Sequence, residues 1–469
     1  MMLAPVRARA RDPIAENMLL GLAAATVVVT CGLVSRRRAR NVRVRLRRLS
    51  DRWRDDLIKN VIPFWLTRSI DEKHGGFFTC LDRDGTVLSD VKFHWLQGRQ
   101  VYMLSRLSIS KDIVTNHAER RRLFLAASDG ARFLRRAKTS DGRYLFSTTR
   151  DGGEAVHYQR KPYTAVFYAM GCLEYYRASC VFWAETNVED KAVRVAARER
   201  DSYLAEGLDA FEHVVSCMKD PTQCGRLPRP SSSSNVSILG EAMCLACLSE
   251  QLNDVLPERR EDWLVHIEHA MSRVLWHYDE KHRVFREMTD GPSVSNESSD
   301  LRLINPGHSI EVSHFLLRLC ELVGGSAKHE RVALSALEGA LEIGWDREHG
   351  GGIRYMLDIE GKPLADTTVT SENKLWWPIC EAIIAAAYAY RVTMEPKWLS
   401  WLERIDSYAY RYFCDARDGG GEWYGYLRRD GTVFNRAKGG NYKGFFHVPR
   451  ALLFAVGHVE AVIQSGSRR

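Results

Sequence analysis

Several familiar patterns are missing from this 469-residue chain. It has no G-x-x-x-x-G-K-[ST] loop, so its glycine clusters do not hold phosphates as a P-loop does. It has no H-E-x-x-H and no histidine cluster with metal-ligand spacing, and no metal is expected. Its eleven cysteines form no disulfide framework: one falls in an apolar run and the others scatter irregularly. Cys244-Leu-Ala-Cys247 lacks the second pair that a zinc site needs and reads as two thiols on a buried helix. This usage fits a reducing compartment.

The folded part also lacks an excess of charge. Residues 1–50 hold eleven arginines against two acids, and the whole chain is +8, so the rest carries about −1. A protein that neutralises many phosphates needs a basic folded surface; no nucleic acid is expected. Long apolar runs are absent save one, Met18 to Val34, uncharged and followed by Arg36, Arg37, Arg38, Arg40, Arg43, Arg45, Arg47 and Arg48. It sits at the short limit for spanning a bilayer. The downstream arginines place the body of the protein on the cytosolic side of a membrane anchor. A removed presequence is the alternative, which so many arginines after the apolar run fit poorly. The expected organisation is a short segment over 1–17, an anchor over 18–34, a basic juxtamembrane linker over 35–50 and one domain over 51–465.

What is present is a repeat. An acidic residue, His or Asp, glycines and aromatics recur near Asp71, Ser140, Asp279, Asp346 and Asp415. Neighbouring copies lie about 70 residues apart, and the one double gap leaves room for a degenerate sixth copy between Asp209 and Gly225. Each period has space for two helices and a short hairpin. Six periods make twelve helices, which close into an all-α (α/α)6 barrel, a toroid of six helical hairpins with a central funnel. Leu57, Val61, Phe64 and Trp65 have the spacing of a buried helical stripe, and Phe93 to Leu107 reads as an inner-ring helix. The serine run 231–234 reads as a surface loop. The polar stretch 292–302 reads as a mobile lid before Asn305.

Two stretches stand out chemically. In Asn305-Pro-Gly-His308 a turn delivers His308 to a helix N-terminus, which disfavours a protonated imidazole and predicts a neutral, basic side chain. Glu311 lies one turn further along the same face. In Lys438 to Arg450 a glycine-rich loop gives way to aromatics and then to His447 at the start of an inner helix. Two histidines from different repeats facing one another across a funnel form an acid–base pair suited to neutral pH. Arg99 is a cation in an apolar helix and calls for a partner or an anionic ligand. Trp376-Trp377 suits stacking on a sugar face, with Glu381 one turn on. Carboxylates in such a barrel can instead be a glycosidase pair. His74 and His349 belong to the repeated turns and read as structural.

The chain resembles the N-acylglucosamine 2-epimerases, also called renin-binding proteins, from about Phe64 to Arg450. The resemblance rests on Phe64-Trp65 with His74-Gly-Gly-Phe-Phe-Thr-Cys80, Trp95-Leu-Gln-Gly-Arg-Gln100, Asn305-Pro-Gly-His308, Gly344-Trp-Asp346 with His349-Gly-Gly351, Lys374-Leu-Trp-Trp-Pro378, and Phe446-His-Val-Pro-Arg450. It implies an (α/α)6 barrel and an isomerase that interconverts N-acetylglucosamine and N-acetylmannosamine with no redox cofactor. The ring-opened sugar loses its C2 proton to one histidine and regains one from the other. By this resemblance His308 and His447 are the catalytic pair, and Arg99, Glu311, Lys374, Trp376, Trp377 and Glu381 bind the substrate. Arg99 would stabilise developing negative charge, and Glu381 would orient the sugar or a histidine. The resemblance also implies an adenine-nucleotide effector, a homodimer and binding to a protease, renin; no local motif bears on nucleotide or dimer.

The chain departs from the family pattern in three places. Ile379-Cys380 stands where mammalian members have His-Ser, Ala165 replaces a Glu, and Val312-Ser-His314 stands where relatives have Ala-Gly-Trp. These changes are expected to reshape the pocket for the acyl group. Two other readings stay open: a 2-epimerase or aldose–ketose isomerase of unmodified hexoses, and a non-catalytic protease-binding protein.

Overall fold

Every residue from Trp376 to Tyr390 is buried. A helix apolar all round must be surrounded by other helices, and this one is a stave of the inner ring. In the computed structural model, which describes residues 40–185, 190–224, 236–290, 299–363, 371–415 and 420–465, six inner helices follow one another around the axis. They are His94–Ile109, Tyr163–Glu185, Leu239–Val255, Pro306–Leu322, Trp376–Thr393 and His447–Ser465. Each is preceded by an outer helix with one buried face: residues 40–68, then His117–Leu134, Arg200–Lys219, Arg260–Leu275, Ala327–Gly344 and Pro396–Tyr408. The architecture is the (α/α)6 barrel. Ring closure is made by the last inner helix against the first, where Phe446 packs on Tyr102 with centroids 5.9 Å apart and Arg106 lies over Phe454.

The first outer helix begins earlier than the sequence suggests. Residues 40–50, read as part of a basic linker, are helical; Leu46 and Leu49 are fully buried, and Arg45 Nε donates to Glu403 Oε1 at 2.7 Å. The arginines of this stretch share the helix with a buried leucine face. The stretch expected to hold a degenerate sixth copy is mostly helix: Asp209 is inside Arg200–Lys219, the connection to the next inner helix starts only at Asp220, and residues 225–235 lie outside the described residues. The anchor candidate 18–34, the serine run 231–234 and the stretch 292–298 of the expected lid lie outside the described residues. No helix among the described residues is long and apolar enough to cross a membrane.

The repeated punctuation has a physical cause. Asp71, Asp279 and Asp346 each accept a hydrogen bond from the backbone N–H three residues on, at His74 (3.3 Å), His282 (2.8 Å) and His349 (3.3 Å). Each thereby closes a turn with residues at positive φ: Gly75 and Gly76 after Asp71, Gly350 to Gly352 after Asp346, and Arg283 after Asp279. Beneath three of the turns a buried lysine neutralises the acid: Lys92 on Asp71 at 3.0 Å, Lys374 on Asp346 at 3.3 Å and Lys438 on Asp415 at 2.7 Å. Short antiparallel strand pairs complete the hairpins, all at the end of the barrel where outer helices finish and inner helices begin. That end is the funnel mouth.

Close approach of two inner helices sets one wall. A Cβ added at Gly98 would meet the Phe167 carbonyl oxygen at 2.1 Å, so only glycine lets His94–Ile109 lie against Tyr163–Glu185. Arg99 and Phe167 are thereby held side by side.

Candidate active site

The funnel holds a cavity of about 550 Å³ whose lining includes His308, Glu311, Arg99, Trp376, Trp377 and His447. Hairpin residues Asn435, Asn441 and Tyr442 form its rim. The two histidines therefore share one chamber. Trp377 links them, its ring 4.9 Å from that of His308 and 6.0 Å from that of His447, centroid to centroid.

Each histidine is placed by its helix start. Asn305 caps Pro306–Leu322, its side chain accepting from Gly307 N at 2.9 Å and His308 N at 3.3 Å, with Pro306 pre-set for the first turn. His447 is the first residue of the last helix. What holds the imidazoles differs. His308 Nδ1 lies 2.8 and 3.0 Å from the two oxygens of Glu287, and its side chain is 30% exposed to the cavity. His447 is buried, with Nδ1 2.7 Å from Glu381 Oε1. An ionised carboxylate only accepts, so Nδ1 donates in both cases and Nε2 is the free nitrogen of each ring.

These settings drive the two side chains apart in basicity. Burial pulls His308 down, but the charge and hydrogen bond of Glu287 outweigh it, and its pKa ends above the ordinary imidazole value. Burial lowers His447, Glu381 opposes, and the Arg99 and Arg450 charges help keep it below the ordinary value. The sequence reading made His308 neutral from its helix terminus alone; the structure reverses that sign. Glu287 sits on a hairpin strand edge, its carbonyl accepting from Leu239 N, and the helix-terminus argument has no access to it. Its only sequence signal is membership of the repeated hairpin at Asp279.

Glu381 is fully buried and does not line the cavity. It also accepts from Arg450 at 2.6 Å and from His314 Nε2 at 2.9 Å. Burial alone would raise its pKa, but Arg450 and the two histidines hold the carboxyl well below the usual range. Its place is to orient His447, not a sugar. Glu311 pairs with the same guanidinium at 2.6 Å and does face the cavity. Ligand atoms of Glu311, Glu381 and His447 lie within 4.8 Å of one another, the spacing of a metal site. The Arg450 guanidinium already bonds both carboxylates and fills the role a cation would take. Sequence reasoning assigned neither Arg450 nor His314 to the site.

Arg99 lies over the rings of Phe167, Trp95 and Phe446 at 4.0, 4.5 and 4.6 Å, and its Nε has no hydrogen-bond partner. Burial lowers its pKa to about 10, which leaves it charged at neutral pH. It is a cation presented to the cavity and available to an oxyanion. Trp376 is edge-on to His447 and Tyr426, and with Trp377 forms the aromatic wall.

Lys374 is a correction. It is fully buried, bonded to Asp346 and to the His349 carbonyl oxygen, and does not line the cavity. It is one of the three lysines that neutralise the repeated aspartates. Ile379, Cys380 and Ala165 are also fully buried away from the cavity; of the departing residues, only His314 touches the site, through Glu381.

The N-acylglucosamine 2-epimerase (GlcNAc 2-epimerase) family matches residues 76–451. The chain belongs to this family. It is therefore an isomerase, a sugar 2-epimerase by class. It is 34% identical over 418 residues to N-acylglucosamine 2-epimerase of Bos taurus, covering 85% of this chain and 89% of that protein. It is 34% identical over 422 residues to the Mus musculus enzyme, covering 87% and 91%. The structure superposes on cellobiose 2-epimerase from Bacillus thermoamylovorans B4167 with a TM-score of 0.68 at 18% identity, covering 87% of this chain and 98% of that one. At that identity the likeness concerns the fold.

Proposed function

We propose that this epimerase interconverts N-acetylglucosamine and N-acetylmannosamine by two-base proton transfer at C2, with no redox cofactor. The observation that carries the reading is the shared chamber of His308 and His447 with their basicities displaced in opposite directions. In the ring-opened sugar, neutral His447 takes the C2 proton at Nε2. The bonding pair moves into a C1–C2 double bond, and the former aldehyde oxygen becomes an oxyanion. Arg99, unpaired at Nε and shielded by three aromatic rings, meets that charge, which is worth more in a dry site than in water. Protonated His308 delivers a proton to the opposite face of C2 and the aldehyde reforms. The product form of the enzyme, His447 charged and His308 neutral, is the form competent for the reverse reaction, and exchange with water resets it. The substrate choice is supported by the two mammalian relatives and by the motif strings around His308 and His447.

Incubation with N-acetylmannosamine in deuterated water tests this directly. N-acetylglucosamine carrying deuterium at C2 is expected. Conversion of mannose with neither exchange nor epimer from the acetylated sugar would instead favour a hexose isomerase. Inertness towards every sugar, with capture of a protease by the folded protein, would favour a binding protein.

We also propose that the apolar run 18–34 anchors the barrel to a membrane with the funnel on the cytosolic side. Outer helices run towards the mouth, so residue 40 lies at the end of the barrel opposite the funnel. Release of the full chain into the soluble fraction by alkaline carbonate would overturn this.

A further inference from the structure

A second cavity, of about 440 Å³, lies at the end of the barrel opposite the funnel, among the C-terminal halves of the inner helices. Its lining includes Arg106, Arg318, Arg391, Tyr388, His458 and His314. The arginines have acids of their own. Arg318 meets Asp254 at 2.9 Å and Glu250 at 3.4 Å, Arg391 holds Glu321, and Arg106 reaches Glu174 at 3.4 Å. His458 is stacked on Tyr388, with ring centroids 4.3 Å apart. His314 stands outside this set. Among the described residues its one hydrogen-bond partner is Glu381.

Glu381 is fully buried and lines neither cavity; it is part of the partition between them. Its two oxygens serve different sides. Oε1 accepts from His447 at 2.7 Å and from Arg450 at 2.6 Å. Oε2 accepts from His314 Nε2 at 2.9 Å, and among the described residues it has no other partner. A buried carboxylate oxygen left without a donor is costly. We propose that His314 is a positioning residue for the epimerisation, acting on His447 through Glu381 by taking up the carboxylate oxygen that the imidazole and Arg450 leave free. This rests on the reading of His447 as the base that takes the C2 proton. A carboxylate shares its charge between both oxygens. A donor on Oε2 therefore draws charge from Oε1 and loosens its hold on a protonated His447. The imidazole is thereby kept neutral and ready to accept at Nε2. His314 lines no part of the funnel cavity or of the space next to it, so it acts on the proton and not on sugar binding.

The test is kcat and KM for N-acetylmannosamine as a function of pH, with the full chain. His314→Phe and His314→Met keep bulk and remove the donor, and either one that folds serves; His314→Gln keeps an N–H donor at a similar reach. Without the donor His447 holds its proton more tightly, so the acid limb of the kcat profile is expected to move to higher pH. In the same variants kcat near neutral pH should fall about tenfold while KM keeps its native value. His314→Gln is expected to bring the limb back and to stay within about threefold of the native kcat. A folded donor-free variant with the native acid limb overturns the role of His314 and leaves the two-base reading intact. So does a His314→Gln protein that behaves like His314→Phe. If His447→Gln keeps the native rate, His447 is not the base and both readings fall together.

Discussion

Glu381 Oε1 accepts the Nδ1 proton of His447 at 2.7 Å, and this buried contact decides which nitrogen of the ring is free for chemistry. The same carboxylate accepts from Arg450 and His314, so its orientation is fixed from three directions. Replacing it by glutamine keeps the volume and removes the charge. Arg450 retains Glu311 as a partner, yet loses one of its two carboxylates in a buried setting. Glu381→Gln is expected to lower the stability of the fold by about 3–5 kcal/mol and kcat by about 10²-fold or more. Thermal unfolding and initial rates read the two effects separately.

The two histidines are expected to be unequal under isotope exchange. In His447→Gln only His308 remains as a base, and in His308→Gln only His447 remains. Each variant should lose net epimerisation by about 10²–10⁴-fold, yet exchange the C2 hydrogen of one epimer with deuterated water, and the two variants should choose opposite epimers. Retention of more than about a tenth of native turnover by either variant would remove that residue from the mechanism.

The pH profile follows from the directions of the two shifts. His447 must be neutral to accept a proton, and its pKa lies below the ordinary value; activity therefore falls on the acid side as it protonates. His308 must be protonated to donate, and its pKa lies above the ordinary value; activity falls on the alkaline side as it loses its proton. The plateau brackets the ordinary imidazole value of about 6.5. Glu287→Gln removes the charge that raises His308 and should move the alkaline limb down. A limb that stays in place would show that His308 does not set it.

Lys374 is expected to behave as part of the scaffold. Lys374→Met leaves the buried Asp346 with Arg429, 3.2 Å away, but without its inner cation. Stability should fall by about 3 kcal/mol while KM for the sugar stays at its native value. A raised KM with unchanged unfolding temperature would return this lysine to the substrate.

The sequence by itself determined the ring. The repeated punctuation is local chemistry, an acid closing its own turn, on glycines after Asp71 and Asp346 and on Arg283 after Asp279, and its period counts the hairpins without knowledge of their packing. Apolar periodicity marked the stripe Leu57 to Trp65 and the inner helix from Phe93 to Leu107, and the Asn305-Pro306 cap and the glycine-rich loop before His447 marked both histidines as helix openers. Charge obscured one boundary: the arginines over 40–50 read as a linker, although Leu46 and Leu49 carry the buried face of a helix.

Only the tertiary structure decided how the site is charged. Glu287 reaches His308 from a strand pairing, His314 and His447 reach Glu381 from two other helices, and Arg450 crosses the ring to both Glu311 and Glu381. A helix terminus acts within one turn, whereas a carboxylate 2.8 Å away in a poorly solvated chamber dominates the titration of an imidazole. Such neighbours are brought together by long-range packing, so neither the reversed sign at His308 nor the inward turn of Lys374 was written in any local run of residues.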